Sequence, residues 1–196
     1  MRGASPLVRF VLLVLAWLPV AFAAWYILAP IVLWPVELLS DLVVRYGFAD
    51  LVRSVEAHGS TLTFVTTLRP GRAEAGGILS VDVNVLLYAF GMPLFASLVL
   101  AAHQPRWWRI LLVGYAIMIP FAVWGVVADF LKNIAITAPA HVASQTGFSA
   151  LGRDIIAFAY QFGSLILPAV VPAVAWVLTH RAFLERMRAT RSGARA

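Results

Sequence analysis

The sequence predicts a membrane α-helical protein: four transmembrane helices, with a small extracytoplasmic β-meander plus an amphipathic helix between spans 1 and 2. Of its 196 residues, 62% are hydrophobic and only 12% charged, far from the usage of soluble domains. Mean hydropathy is +0.88. Four uncharged apolar stretches, residues 10–36, 83–102, 110–128 and 155–179, each reach the roughly 17 to 25 residues a helix needs to cross the hydrocarbon layer. Between the first two, the apolar period shifts from that of a helix to that of a strand.

The first stretch, "RFVLLVLAWLPVAFAAWYILAPIVLWP" from Arg9 to Pro35, has a basic start and the small-x-small triplet Ala21-Phe22-Ala23, which also fit a cleaved secretion signal. Its apolar run continues well past Ala23, so the expectation is a retained helix, kinked at Pro19 and Pro30. After Pro35, Val36, Leu39 and Val43 recur at helical spacing with charges between them, which predicts an amphipathic helix on the outer surface ending at Gly47. "STLTFVTTL" then alternates, with Leu62, Phe64, Thr66 and Leu68 on one face and Thr61, Thr63, Val65 and Thr67 on the other. "GILSVDVNV" alternates likewise, while "AHGS" and "RPGRAEAGG" carry turn residues. The expectation is two or three antiparallel strands whose apolar face needs the membrane, the surface helix or a partner to cover it. The expected layout is 1–36 for the N-terminus and first span, 37–82 for the outer segment, 83–179 for spans 2 to 4 and 180–196 for a basic tail. That leaves no room for a separate soluble enzyme domain.

Charge sets the expected orientation. With four spans, Arg2, Arg9, Arg106, Arg109, Arg181, Arg186, Arg188, Arg191 and Arg195 share one side with a single acid, Glu185; the other side holds six bases against eight acids. The positive-inside rule puts both termini in the cytoplasm of an inner membrane and 37–82 outside. Trp25, Trp34, Tyr88 and Trp124 fall toward the outer ends of spans and Trp107, Trp108 and Trp176 toward the inner ends, as interfacial aromatics do. The net charge of +6 then belongs to topology and lipid headgroups, and no soluble basic face offers itself to nucleic acid. The absence of cysteine excludes disulfides, thiolate nucleophiles and thiolate metal sites.

Candidate sites are few. Asp129 and Lys132, three apart at the outer end of the third span, fit an interfacial ion pair, an ion path or a clasp for a partner's charge. Arg153 with Asp154 invites the same readings. Glu37 and Asp41 fit a solvated helix face or paired carboxylates. His58, His103, His141 and His180 are too dispersed for a metal cluster, and no cofactor motif is present. Gln161, a polar side chain inside the fourth span, fits a helix-to-helix hydrogen bond or a substrate contact. Every span contains proline, which frees backbone carbonyls of the kind transporters use and which inert bundles also tolerate.

At "VDVNVLLYAFGMPLFASLVLA", residues 81–101, and "LAWLPVAFAAWYILAPIVLWP", residues 15–35, the chain resembles the small membrane protein encoded beside exosortase H, a companion in bacterial protein-sorting systems. The likeness lies in Asn84, Tyr88, Gly91, Pro93, Leu94 and Phe95 entering the second span, in the aromatic- and proline-rich first helix, and in the order helix, outer strands, three helices. The resemblance implies an inner-membrane accessory; an exosortase itself needs a catalytic cysteine. The leading expectation is therefore a non-enzymatic accessory whose partners are membrane lipids and an exosortase-like integral membrane protein or its anchored substrates. Asn84, Tyr88, Gly91, Pro93, Asp129, Lys132 and Gln161 are its candidate structural and partner-binding residues. A small permease or channel subunit is the alternative, favoured by Gln161 and the Pro168–Pro172 kink on a water-filled cavity. A lipid- or peptide-processing enzyme requires Asp129, His141 and Asp154 to converge.

Overall fold

The protein is described by a computed structural model at residues 6–70 and 77–181. Most of the expected "RPGRAEAGG" turn and nearly all of the basic tail lie outside the described residues. The chain divides into two compact units, one of residues 1–28, 90–118 and 169–196 and the other of residues 29–89 and 119–168.

Among the described residues, three helices are long and apolar enough to cross a membrane: Leu7–Ile27, Trp107–Thr137 and Ala150–Thr179. The chain is thus a multi-pass membrane protein. The expected second span differs, because Val83 and Asn84 pair with Leu62 and Thr61 at the edge of a sheet and helix begins only after them. What remains is Leu86–Ala101, an apolar helix of fewer than 18 residues, interrupted at Phe90 into α4 (Leu86–Ala89) and α5 (Gly91–Ala101). The first span is also shorter than expected. Helix α1 (Pro6–Ile27) absorbs Pro19 internally, but the chain breaks before α2 (Ala29–Val32), which contains Pro30. A new helix, α3 (Trp34–Gly47), starts with Pro35 in its first turn. There proline costs nothing, since the first helical N–H groups lack partners anyway.

In the first unit α1 runs along α5. Phe10 of α1 stacks on Trp176, with ring centroids 5.2 Å apart, and Trp176 stacks on His180 at 5.1 Å. Trp176 belongs to α9 (Leu167–Thr179). Gly91 and Pro93 are buried in the first turn of α5.

The second unit carries a three-stranded antiparallel sheet in the order β1-β2-β3, with β1 at Val52–His58, β2 at Thr61–Thr66 and β3 at Ser80–Asn84. The β1–β2 hairpin closes through Gly59-Ser60, with Gly59 at φ +64°, a conformation glycine adopts without steric cost. Leu62, Phe64, Thr66 and Leu68 are all buried, matching the face read from the alternation. That face is covered from within the chain: Phe64 stacks on Phe130, centroids 4.6 Å apart, near the end of α6 (Trp107–Lys132). Neither membrane nor partner is required there. Strand β1 had no position in the sequence reading, and its burial explains why: only Val52 is buried, and a register shift separates Val52 from Ser54. A strand without alternation gives no period-two signal.

Helix α3 matches its expected span. It turns Val36, Ser40 and Val44 inward, and Asp41 pairs with Arg45 one turn on. Glu37 is less comfortable. One of its carboxylate oxygens is buried without a hydrogen-bond partner among the described residues, and desolvation pushes the carboxyl above its usual range.

Candidate functional site

The stretch Trp107–Thr137 of 31 residues is about 46 Å long at 1.5 Å per residue, against a hydrocarbon thickness of about 30 Å. Started at the Trp107-Trp108 aromatic pair, it reaches the far interface near Val127. Asp129, Lys132 and Asn133 follow at the boundary.

These residues form a polar cluster. Lys132 Nζ lies 2.9 Å from Asp129 Oδ1, and the Asn133 amide donates to the same oxygen at 3.0 Å and to the Asp129 carbonyl at 2.9 Å. The ammonium also sits 4.1 Å from the centroid of the Tyr160 ring, where the ring's negative face attracts it. Tyr88 reaches into the cluster, its phenol interacting with Asp129 and Tyr160. Asp129 is only 8% exposed, so its charge is compensated by a cation and by hydrogen bonds, as a desolvated carboxylate requires. The sequence candidates Tyr88, Asp129 and Lys132 are thereby brought together. Asn133 was legible as a residue one helical turn after Asp129; Tyr160, from α8 (Ala150–Gln161), left no local signal.

Close packing sets the cluster's geometry. A Cβ on Gly125 would fall on the Tyr88 ring, and one on Gly163 would meet Trp124 and the Gly125 backbone. Glycine at both positions lets α6 and the π-helical turn Phe162–Ile166 approach closely. Trp124 Nε1 donates to the Ala159 carbonyl at 3.0 Å, which ties α6 to α8 at the same level. A second π-helical turn, Asn133–Thr137, follows α6 directly.

The other candidates are spread. Asn84 Oδ1 accepts the Leu86 N–H at 3.0 Å, satisfying a donor where strand changes to helix. Gln161 is exposed and makes no helix-to-helix hydrogen bond among the described residues. On the same side of its helix lie Phe158 and Leu165, 67% and 72% exposed. Asp129, His141 and Asp154 share no hydrogen bond or ion pair among the described residues, and none lines the groove described next. No group of three His, Asp or Glu placed to hold a metal occurs among the described residues.

A groove of about 600 Å³ lies between α3, α6 and α8. Val43 and Phe48 form one wall, Val123, Val127 and Leu131 another, and Ile155, Ile156 and Ala159 a third; Phe148 and Gly152 lie at the start of α8. Neither Gln161 nor Pro168 lines it. Trp124 carries the one polar side-chain atom of its lining, and that N–H is spent on the Ala159 carbonyl, so the chemistry the groove offers is that of hydrocarbon.

A family model described as exosortase H-associated membrane protein matches residues 4–183. No curated protein and no solved structure matches the chain.

Proposed function

The chain belongs to the exosortase H-associated membrane protein family, and from that premise we propose that it is a non-enzymatic inner-membrane accessory that holds the sorting enzyme or its membrane-anchored substrates. The observation that carries this reading is the outward face of α8 and the turn after it. Leu151, Ile155, Phe158, Gln161 and Leu165 recur there at three- and four-residue intervals and are all exposed. A carboxamide on such an apolar stripe has its hydrogen-bonding capacity unused, and a neighbouring membrane helix is the natural place to use it. The polar cluster of Asp129, Lys132 and Tyr88 plays a different part. Its groups satisfy one another, which supports a role in fixing the sheet to the membrane helices; Asn84, Gly91 and Pro93 serve the same purpose at the entry to α4 and α5. A permease reading needs Gln161 on a water-filled cavity, whereas Gln161 lies exposed on an apolar face.

The partner-facing test is photocross-linking. With p-benzoylphenylalanine in place of Phe158, ultraviolet irradiation of native membranes is expected to join the chain to exosortase H or to an anchored substrate. Gln161→Leu is expected to reduce that adduct severalfold. Adducts only with lipid, or an undiminished adduct in Gln161→Leu, would count against the stripe.

The orientation belongs to the same proposal: both termini cytoplasmic and residues 37–82 outside, as the loop charges favour. Because the chain has no cysteine, single cysteines report cleanly. Glu56→Cys in spheroplasts is expected to react with an impermeant maleimide and Ser192→Cys to react only after lysis. The opposite pattern would invert the topology.

A further inference from the structure

We infer that the groove between α3, α6 and α8 is a binding site for one phospholipid, an acyl chain lying along Val127 and its neighbours and the phosphate at Arg153. Along α6 the groove runs from Pro120 to Leu131, about 17 Å of helix. It begins about 10 Å inside the hydrocarbon layer and crosses the boundary reached near Val127, so it joins the acyl region of one leaflet to its headgroup region. Its volume of about 600 Å³ falls in the range of sites that enclose small ligands. The hydrocarbon chemistry of the wall offers nothing to a headgroup or a peptide backbone and suits an alkyl chain.

The polar end is supplied at one place. The Arg153 guanidinium donates to the carbonyl of Phe148 at 3.2 Å, and Phe148 lines the groove, so the cation is held at that end of it. Arg153 is exposed and has no ion-pair partner among the described residues, whereas Arg45 and Lys132 are each taken by an aspartate. An arginine without an ion-pair partner among the described residues, beside the mouth of an apolar groove that reaches the interface, has the complementarity a phosphodiester demands. A partner helix would fill the same groove without needing the cation, and this is the difference the experiment reads.

The full chain is reconstituted in nanodiscs of phosphatidylethanolamine and phosphatidylglycerol, extracted into mild detergent and weighed by native mass spectrometry. One retained phospholipid per chain is expected. Val127→Trp, which fills the groove, should abolish retention, and Ala159→Leu, from the opposite wall, should weaken it. Arg153→Gln, exposed and outside the packing, should lower retention roughly fivefold, the equivalent of about one cation near a lipid surface, with an unchanged melting curve. Retention equal to wild type in a folded Val127→Trp or Ala159→Leu, or in Arg153→Gln, would overturn the assignment. So would a wild-type chain that carries free fatty acid, detergent or no lipid.

Discussion

Phe64→Ala is expected to destabilise the second unit by about 3–5 kcal/mol, the usual cost of truncating a buried phenylalanine. Phe64 is fully buried and its ring stacks on Phe130. The same side chain therefore closes the core of the sheet and fastens β2 to α6. A three-stranded sheet has little stability to spare, so the loss should be local before it is global. Limited trypsinolysis in detergent is the measurement. Cleavage at Arg53 and Arg69 is expected to accelerate strongly in Phe64→Ala, while the membrane helices stay protected. Protection equal to wild type would mean that the sheet stands without the Phe64–Phe130 contact.

Asp129→Ala is expected to cost about 3 kcal/mol or more, because it leaves the Lys132 ammonium and the Asn133 amide without their shared acceptor in a poorly solvated place. Asp129→Asn should cost less, since the amide oxygen still accepts from Asn133 but no longer neutralises Lys132. The double replacement Asp129→Leu with Lys132→Met should recover much of the loss, because an apolar pair removes both charges together. Thermal unfolding followed by tryptophan fluorescence reads all three. If Asp129→Ala melts with wild type, or if the double variant is worse than the sum of the single ones, the cluster is not the clasp described here.

Much of this architecture was legible from composition and period. Among the described residues, the three helices long and apolar enough to span, α3 with its end at Gly47, and the buried face of β2 all follow from where apolar residues recur. What escaped the reading did so for identifiable reasons. Apolar Val83 and Val85 extend the apolar run to 83–102, yet Leu62↔Val83 and Thr61↔Asn84 pairing commits Val83 and Asn84 to the sheet. Pairing of distant residues is invisible to a local pattern. Strand β1 carries Arg53 and Glu56 and buries little but Val52, so it has no period to find. The site shows the same division. Asp129 and Lys132 lie in the last turn of α6 and Asn133 directly follows it, within reach of spacing rules, whereas Tyr160 joins them only through the packing of α8. Gln161 stood out as a polar residue in an apolar run, but that it faces outward took the structure to establish.

Capture of the enzyme tests the central claim most directly. Tagged exosortase H from the same organism is co-expressed with this chain, extracted in mild detergent and recovered by its tag. The account predicts that the wild-type chain is retained, that Gln161→Leu is retained severalfold less, and that Arg153→Gln is retained as well as wild type. Retention of the Gln161→Leu chain at the wild-type level, or no retention of the wild-type chain with either the enzyme or a tagged anchored substrate, would contradict it.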